Sequence, residues 1–184
     1  FGEPQLDLAQ VEAFKAGVVK KMTSGVTQLF KGNKVELLKG EARFVGENEV
    51  EVAGERHRAK RFIVATGSRP ASVPGFEVDG ERFIDSTGAL QVGREVPGRL
   101  LVIGGGAIGL EFADVYAVLG SEVTVVEMLP NIAPTADPDA SKELRKALEK
   151  RGIEVHTGTK VAGQKTTKKG VEVALEGEGA PATV

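Results

Sequence analysis

The run Gly104-Gly105-Gly106-Ala107-Ile108-Gly109 constrains this chain more than any other feature. It follows the short apolar run Leu100-Leu101-Val102-Ile103 and leads into a helical apolar pattern over 108–119, which Gly120 ends. A strand, a G-x-G-x-x-G turn and a helix in that order match the opening of a β-α-β dinucleotide-binding unit. The first glycine permits the tight turn. The second leaves room for a pyrophosphate against the backbone, and the third lets the helix pack closely on the strand. The first helical amides and the helix dipole then face the anion. A P-loop is excluded, because no Gly-Lys-Ser/Thr follows.

The residues beyond the loop supply the context that a bare glycine pattern lacks. Residues 122–127 read as a β-branched strand whose last residue, Glu127, lies eighteen positions after Gly109. That is close to the spacing of about twenty expected for a carboxylate that accepts hydrogen bonds from an adenosine ribose. A 2′-phosphate would be repelled there, and Met128-Leu129 offers no arginine to receive one, so NAD is expected over NADP. The competing reading is that the glycines only turn the chain and that Glu127 is a solvated strand end. Glu111, expected in the first turn of the helix, reads most simply as compensation of the helix dipole. Asp137-Pro138 then resembles an N-cap and first-turn proline, opening a helix that runs to about Arg151 and stops at Gly152. Residues 153–156 read as a third strand, and 170–175 as part of a further β-meander. This β-α-β-α-β order predicts right-handed crossovers and a parallel sheet.

The first part of the chain is organised differently. Leu6, Leu8, Val11, Phe14, Val18, Met22, Val26 and Leu29 recur at mostly three- and four-residue steps, so a helix is expected, with Asp7 as N-cap and Gly32 as stop. Short strands are expected at 34–38, 42–45, 49–53 and 61–65, punctuated by Gly40, Gly46-Glu47-Asn48 and Gly54. Turn chemistry at Thr66-Gly67-Ser68-Arg69-Pro70 and Pro74-Gly75 marks a boundary, giving domains over 1–70 and 71–184.

Composition removes other classes of function. Aromatics are 5% of residues, so the core must be mostly aliphatic, which suits buried parallel strands. The net charge is −2, with no basic excess to neutralise a nucleic acid backbone. No apolar run reaches the roughly 18 residues of a membrane helix, and no signal-peptide pattern opens the chain. A cytoplasmic setting is expected. There is no cysteine and there are only two histidines, so thiolate chemistry, cysteine metal sites and a His-based zinc site have nothing to draw on. His57, in Glu55-Arg56-His57-Arg58, reads as a solvated turn residue, and His156 as packing at a strand end. Lys165, Lys168 and Lys169 read as a solvated hairpin. Asp137 and Asp139 read as helix-start residues, not a hydrolytic dyad.

A resemblance emerges once the motifs are taken in order. Ile63-Val64-Ala65-Thr66-Gly67-Ser68-Arg69-Pro70, Val73-Pro74-Gly75, Asp85-Ser86, and Val102 through the glycine loop to Leu110-Glu111 together resemble the flavoprotein disulfide reductases. The pattern is most similar to the branch that oxidises dihydrolipoamide. The resemblance implies an α/β fold: a Rossmann-like NAD domain with a parallel sheet and a β-meander, preceded by a helix and antiparallel strands from the later part of an FAD domain. It also implies that Gly104, Gly105, Gly106, Ala107, Ile108, Gly109, Leu110 and Glu111 hold the NAD pyrophosphate and approach the nicotinamide. Glu127 would hold the adenosine ribose, and the Val161 backbone would touch the adenine end. Ala42, Thr66, Gly67 and Ser68 would lie beside FAD. Glu111 matches a family glutamate near nicotinamide and flavin, which favours a functional role over dipole compensation. Ala107 stands where some relatives carry a bulkier residue.

The family's upstream FAD glycine fingerprint, redox cysteine pair and following lysine are not in these 184 residues, nor are its downstream Gly-Asp segment and His–Glu pair. The chain therefore reads as a central fragment, inactive alone, whose end at Thr183-Val184 would leave an unpaired sheet edge. The parent enzyme would pass electrons from dihydrolipoamide through FAD to NAD⁺. It would be a homodimer working with the lipoyl-bearing acyltransferase of a 2-oxoacid dehydrogenase complex. The alternatives are another NAD(P)H-dependent disulfide reductase, an NADH oxidase, or a non-catalytic NAD-binding module.

Overall fold

The structure, a computed structural model, describes residues 6–91, 95–168, 170–177, 181 and 183–184, so Lys169 of the expected lysine hairpin lies outside the described residues. It divides into two compact units, Ala9–Arg69 and Pro70–Val184, residues 6–8 being grouped with the second.

The first unit opens with α1 (Leu8–Gly32), the helix that the apolar periodicity predicts, starting directly after Asp7. None of its residues is buried, and Phe14 and Met22 keep 76% and 65% of their surface exposed. Three antiparallel strands follow in the order β1 (Ala42–Gly46), β2 (Glu49–Val52) and β3 (Glu55–Arg58). Between β2 and β3 the two turn residues Ala53 and Gly54 have φ of 51° and 84°. Both are left-handed, as a two-residue hairpin whose twist matches its strands requires. Strand β3 corrects the reading of His57 as a turn residue: His57 pairs with Val50 and is half-buried. A strand of charged residues holds here because its neighbours carry the opposite sign, Glu51 lying between Arg43 at 3.0 Å and Arg56 at 3.9 Å. The strands expected at 34–38 and 61–65 do not form. A strand exists only as part of a ladder, and neither segment is assigned one. Lys34 instead leaves α1 with a φ of 56°.

The second unit holds the expected β-α-β-α-β order, after a short helix α2 (Ser86–Ala89) that periodicity does not announce. Asp85 caps α2 by accepting from the amides of Thr87 and Gly88 at 3.0 and 2.9 Å. Just before it, Asp79 Oδ1 accepts from the amides of Glu81, Arg82 and Phe83 at 2.8 to 2.9 Å. These donors, Glu81 and Phe83 foremost, hold the Asp79 carboxyl below its ordinary pKa.

Strands β4 (Arg99–Ile103), β5 (Glu122–Val126) and β6 (Glu154–His156) form one parallel sheet in that order, with Val102 beside Val125 and Val125 beside Val155. Helices α3 (Ala107–Val118) and α4 (Pro138–Lys150) make the crossovers. Helix α4 begins as expected: Asp137 Oδ1 accepts from the Asp139 amide at 2.9 Å, and Pro138 follows the cap. Beyond the sheet, β7 (Lys160–Thr166) and β8 (Val171–Glu176) pair as an antiparallel hairpin. The outer edge of β8 is not left open where Val173 and Val184 exchange two backbone hydrogen bonds of 3.0 Å.

Alternation along the strands divides the core between the two sheet faces. Leu100, Val102, Val123, Val125 and Val155 pack with Leu110, Ala113 and Tyr116 of α3 and Leu148 of α4. Leu101 and Val126 point the other way, to Phe76 and to Val173 and Leu175 of the hairpin. A sheet covered on both faces explains why these strands read as continuous apolar runs. The core's buried phenol is satisfied, Tyr116 donating to the Ala89 carbonyl at 3.0 Å.

Candidate dinucleotide site

Strand β4 delivers the chain to Gly104, whose φ of +110° is open to glycine and strained for other residues. The Gly104 amide donates to the Val126 carbonyl at 2.8 Å and ties the turn to β5. Two residues later Gly106 is the N-cap of α3, without a side-chain cap. A Cβ at Gly106 would meet nothing within 4 Å, whereas one at Gly109 would stand 2.1 Å from the Gly104 carbonyl oxygen and 3.1 Å from Val102 Cγ1. The loop therefore turns at Gly104, is open at Gly106, and brings helix onto strand at Gly109. An uncapped helix start with an open approach suits an anion.

Gly105 has a different surrounding. It is buried, and a Cβ there would lie 3.0 Å from Ile132 Cγ2 and 3.1 Å from Glu127 Cβ. Its amide donates to Glu127 Oε2 at 2.7 Å, and the Leu129 amide donates to Oε1 at 2.8 Å. Glu127 is 8% exposed, so it is not the solvated strand end of the competing reading. Its own amide donates to the His156 carbonyl at 2.8 Å, and its carbonyl accepts from Thr159 at 2.9 Å. The carboxylate is thus fixed at the C-terminal end of the parallel sheet, joined directly to the glycine loop.

The other residues singled out by sequence fall into separate places. Ala107 and Ile108 are exposed in the first turn of α3, while Leu110 is buried in the core beneath it. Glu111 corrects an expectation. Because Gly106 is the cap and Ala107 the first helical residue, no acidic residue lies in the first turn. Glu111 sits one residue beyond that turn, exposed, which weakens the dipole reading. Val161 is on β7, half-buried and opposite Leu175. In the first unit Ala42 is exposed on β1, and Thr66, Gly67 and Ser68 are exposed outside any strand. His156 is mostly covered, its Nε2 2.9 Å from Glu154 Oε1.

A cleft of about 610 Å³ opens beside the loop, within the second unit. Gly104 and Gly106 line it, with Ile108 and Phe112 of α3 and Arg82 and Ile84 from the segment before β4. Sequence reasoning missed the contribution of that segment. The Asp85-Ser86-Thr87-Gly88 capping pattern was the signal for it. It also missed the strap between β5 and α4, whose sequence Pro130-Asn131-Ile132-Ala133-Pro134 has no period to recognise.

Comparison with known proteins agrees with this fold. Residues 3–182 match the family model described as pyridine nucleotide-disulphide oxidoreductase. A dihydrolipoyl dehydrogenase of Thermus scotoductus is 53% identical over 174 residues, covering 95% of this chain and 38% of the relative. The dihydrolipoyl dehydrogenase of Geobacillus stearothermophilus is 43% identical over 183 residues, covering 97% of this chain and 38% of the relative. Among solved structures, LpdA from Mycobacterium tuberculosis superimposes with a TM-score of 0.84 at 27% identity, covering all of this chain and 41% of that one. The chain therefore spans well under half the length of these relatives.

Proposed function

Since this chain belongs to the pyridine nucleotide-disulphide oxidoreductase family, we propose that it is the nicotinamide-nucleotide seat of an NAD-dependent dihydrolipoyl dehydrogenase, with part of the FAD-binding region. The observation that carries this reading is the Glu127 carboxylate held 2.7 Å from the Gly105 amide, inside the loop that opens α3. One short stretch of backbone thereby fixes an anion-facing helix start and a buried hydroxyl acceptor together, which is what a dinucleotide needs at its pyrophosphate and ribose.

The residues fit NAD in their chemistry. Ala107, Ile108 and Gly109 would offer first-turn amides to the pyrophosphate, and Gly106 leaves the approach open. Glu127 would accept from the adenosine ribose and disfavour a 2′-phosphate by charge. The Val161 backbone would border the adenine, and Glu111 the nicotinamide. For FAD the reading rests on the resemblance at Ala42, Thr66, Gly67 and Ser68, all exposed. When bound, NAD⁺ supplies the hydride acceptor and FAD the carrier between it and the dithiol. The chain's own contribution is to hold and orient. With no cysteine in its 184 residues, it makes no thiol–disulfide exchange itself.

The reading extends to a lipoyl-bearing acyltransferase of a 2-oxoacid dehydrogenase complex as partner, to a homodimeric parent enzyme and to a cytoplasmic setting. No helix among the described residues is long and apolar enough to cross a membrane. The direct test is titration of the chain with NADH and NADPH, followed by nicotinamide fluorescence. Saturable NADH binding at least roughly tenfold tighter than NADPH binding is expected. Absence of saturable NADH binding by the folded chain would overturn the reading.

A further inference from the structure

The Glu127–Gly105 contact does not stand alone; it is the inner end of a chain of hydrogen bonds that starts on α4. Ser141 is 3% exposed, and its Oγ donates to the Ile132 carbonyl at 2.7 Å. The next residue, Ala133, donates its amide to the Gly105 carbonyl at 2.7 Å. On its other side Gly105 donates to Glu127. Both polar groups of Gly105 are therefore committed, one to the strap after β5 and one to the carboxylate that ends β5.

Packing reinforces the connection. Ile132 is 1% exposed and lies against the α-carbon of Gly105, where a Cβ would come within 3.0 Å. Ala133 takes a φ of +44°, a backbone state that alanine adopts only when its surroundings impose it. Here the strap is held at two successive residues: at the Ile132 carbonyl by Ser141, and at the Ala133 amide by Gly105. A serine inside a helix usually faces solvent or bonds back to its own helix. Ser141 does neither and crosses to another segment.

We infer that Ser141 is a positioning residue of the dinucleotide site: its hydroxyl holds the 130–136 strap, the strap holds Gly105, and Gly105 aims the Glu127 carboxylate. This rests on the NAD reading above and deepens it, by making the selectivity against a 2′-phosphate depend on a residue of α4. Removing the hydroxyl leaves the Ile132 carbonyl buried and without that donor, and frees the strap to shift. The carboxylate then turns more freely away from a 2′-phosphate.

The experiment compares the chain with its Ser141→Ala and Ser141→Thr variants by NADH and NADPH titration, with far-ultraviolet circular dichroism establishing that each is folded. The expected result for Ser141→Ala is NADH affinity roughly three- to tenfold weaker. NADPH affinity should fall less, so that the ratio between the two narrows, and Ser141→Thr should restore the ratio. A purely structural role would weaken both ligands together and leave the ratio unmoved, which overturns the inference. Unchanged NADH binding by Ser141→Ala overturns it as well. Should Ser141→Ala fail to fold, the amide resonances of Gly105 and Ala133 in Ser141→Thr decide the matter. Wild-type positions support the inference, and displaced positions in a folded Ser141→Thr protein with normal selectivity refute it. If the wild-type chain itself binds no NADH, the NAD reading has failed rather than the role of Ser141.

Discussion

Helices α1 and α3 are both rich in apolar residues, yet they end in opposite states. The twelve residues of α3 bury Leu110, Ala113 and Tyr116 against a parallel sheet. The twenty-five of α1 bury none. The same asymmetry holds for the strands of the two units: β5 has Val123, Val125 and Val126 buried, while Val52 is the only buried hydrophobic residue of the first unit among those described. Periodicity fixes which face of a helix is apolar; it does not supply the surface against which that face is buried. The second unit contains both halves of its core within about 115 residues. The first presents an apolar helix face with no buried residue.

Substitutions can test how deep this contrast goes, and the protein offers a convenient probe. Tyr116 is the single tyrosine and there is no tryptophan, so tyrosine fluorescence reports the second unit alone. The largest effect is expected from Gly109→Ala, whose methyl would meet the Gly104 carbonyl at 2.1 Å. A loss of about 3 kcal/mol or more in urea unfolding, with loss of NADH binding, is the expected outcome. Near-normal stability would show that α3 can move off β4 freely. Next comes Ile153→Ala, 2% exposed in the main core, with an expected loss of about 2–4 kcal/mol in the tyrosine-monitored transition. Replacing the helix cap in Asp137→Ala should cost about 1 kcal/mol in the same transition. On the other side of the comparison, Met22→Ser in α1 should leave the tyrosine transition within about 0.5 kcal/mol of wild type. A large shift there would mean that the exposed face of α1 is covered in solution.

The smallest effect concerns acid. The Asp79 carboxyl is held below its ordinary pKa of 3.8 by backbone donors, so its charged form favours the folded state. That contribution is complete above pH 3.8 and fades as pH falls through the lowered folded value. Asp79→Asn keeps an oxygen acceptor and removes the charge. Its stability difference from wild type should be visible at neutral pH and shrink in acid titration. A pH-independent difference would place the effect in the turn geometry instead.

These contrasts also explain what the sequence revealed and what it did not. The glycine spacing and the distance to Glu127 were legible because a turn, a helix start and a strand end are local objects. The three glycines could even be told apart, since the turn at Gly104 and the close approach at Gly109 follow from spacing alone. Strands at 34–38 and 61–65 were misread because a strand is defined by a partner, which propensity does not see. Strand β3 was overlooked because Glu55-Arg56-His57-Arg58 looks like a solvated turn until Glu51 and Val50 are set opposite it. Helix α2 was missed because four residues carry no period. The position of Glu111 shifted because the helix begins one residue earlier than its apolar pattern. The Ser141 connection was out of reach for the deepest reason: its members lie at 105, 127, 132, 133 and 141, and only the fold brings these segments together.

The Gly105–Glu127 contact limits how many further hydrogen bonds the Glu127 carboxylate can accept. A carboxylate has roughly four lone-pair directions, and the amides of Gly105 and Leu129 already occupy two at Glu127. Two directions remain, and a ribose carries two adjacent hydroxyls. The acceptor is therefore matched in number to a vicinal diol. A 2′-deoxyribose would leave one direction unfilled, and a phosphate would bring charge where a proton is wanted. On the NAD reading proposed above, the two places that the backbone amides leave at Glu127 are those the adenosine ribose would fill.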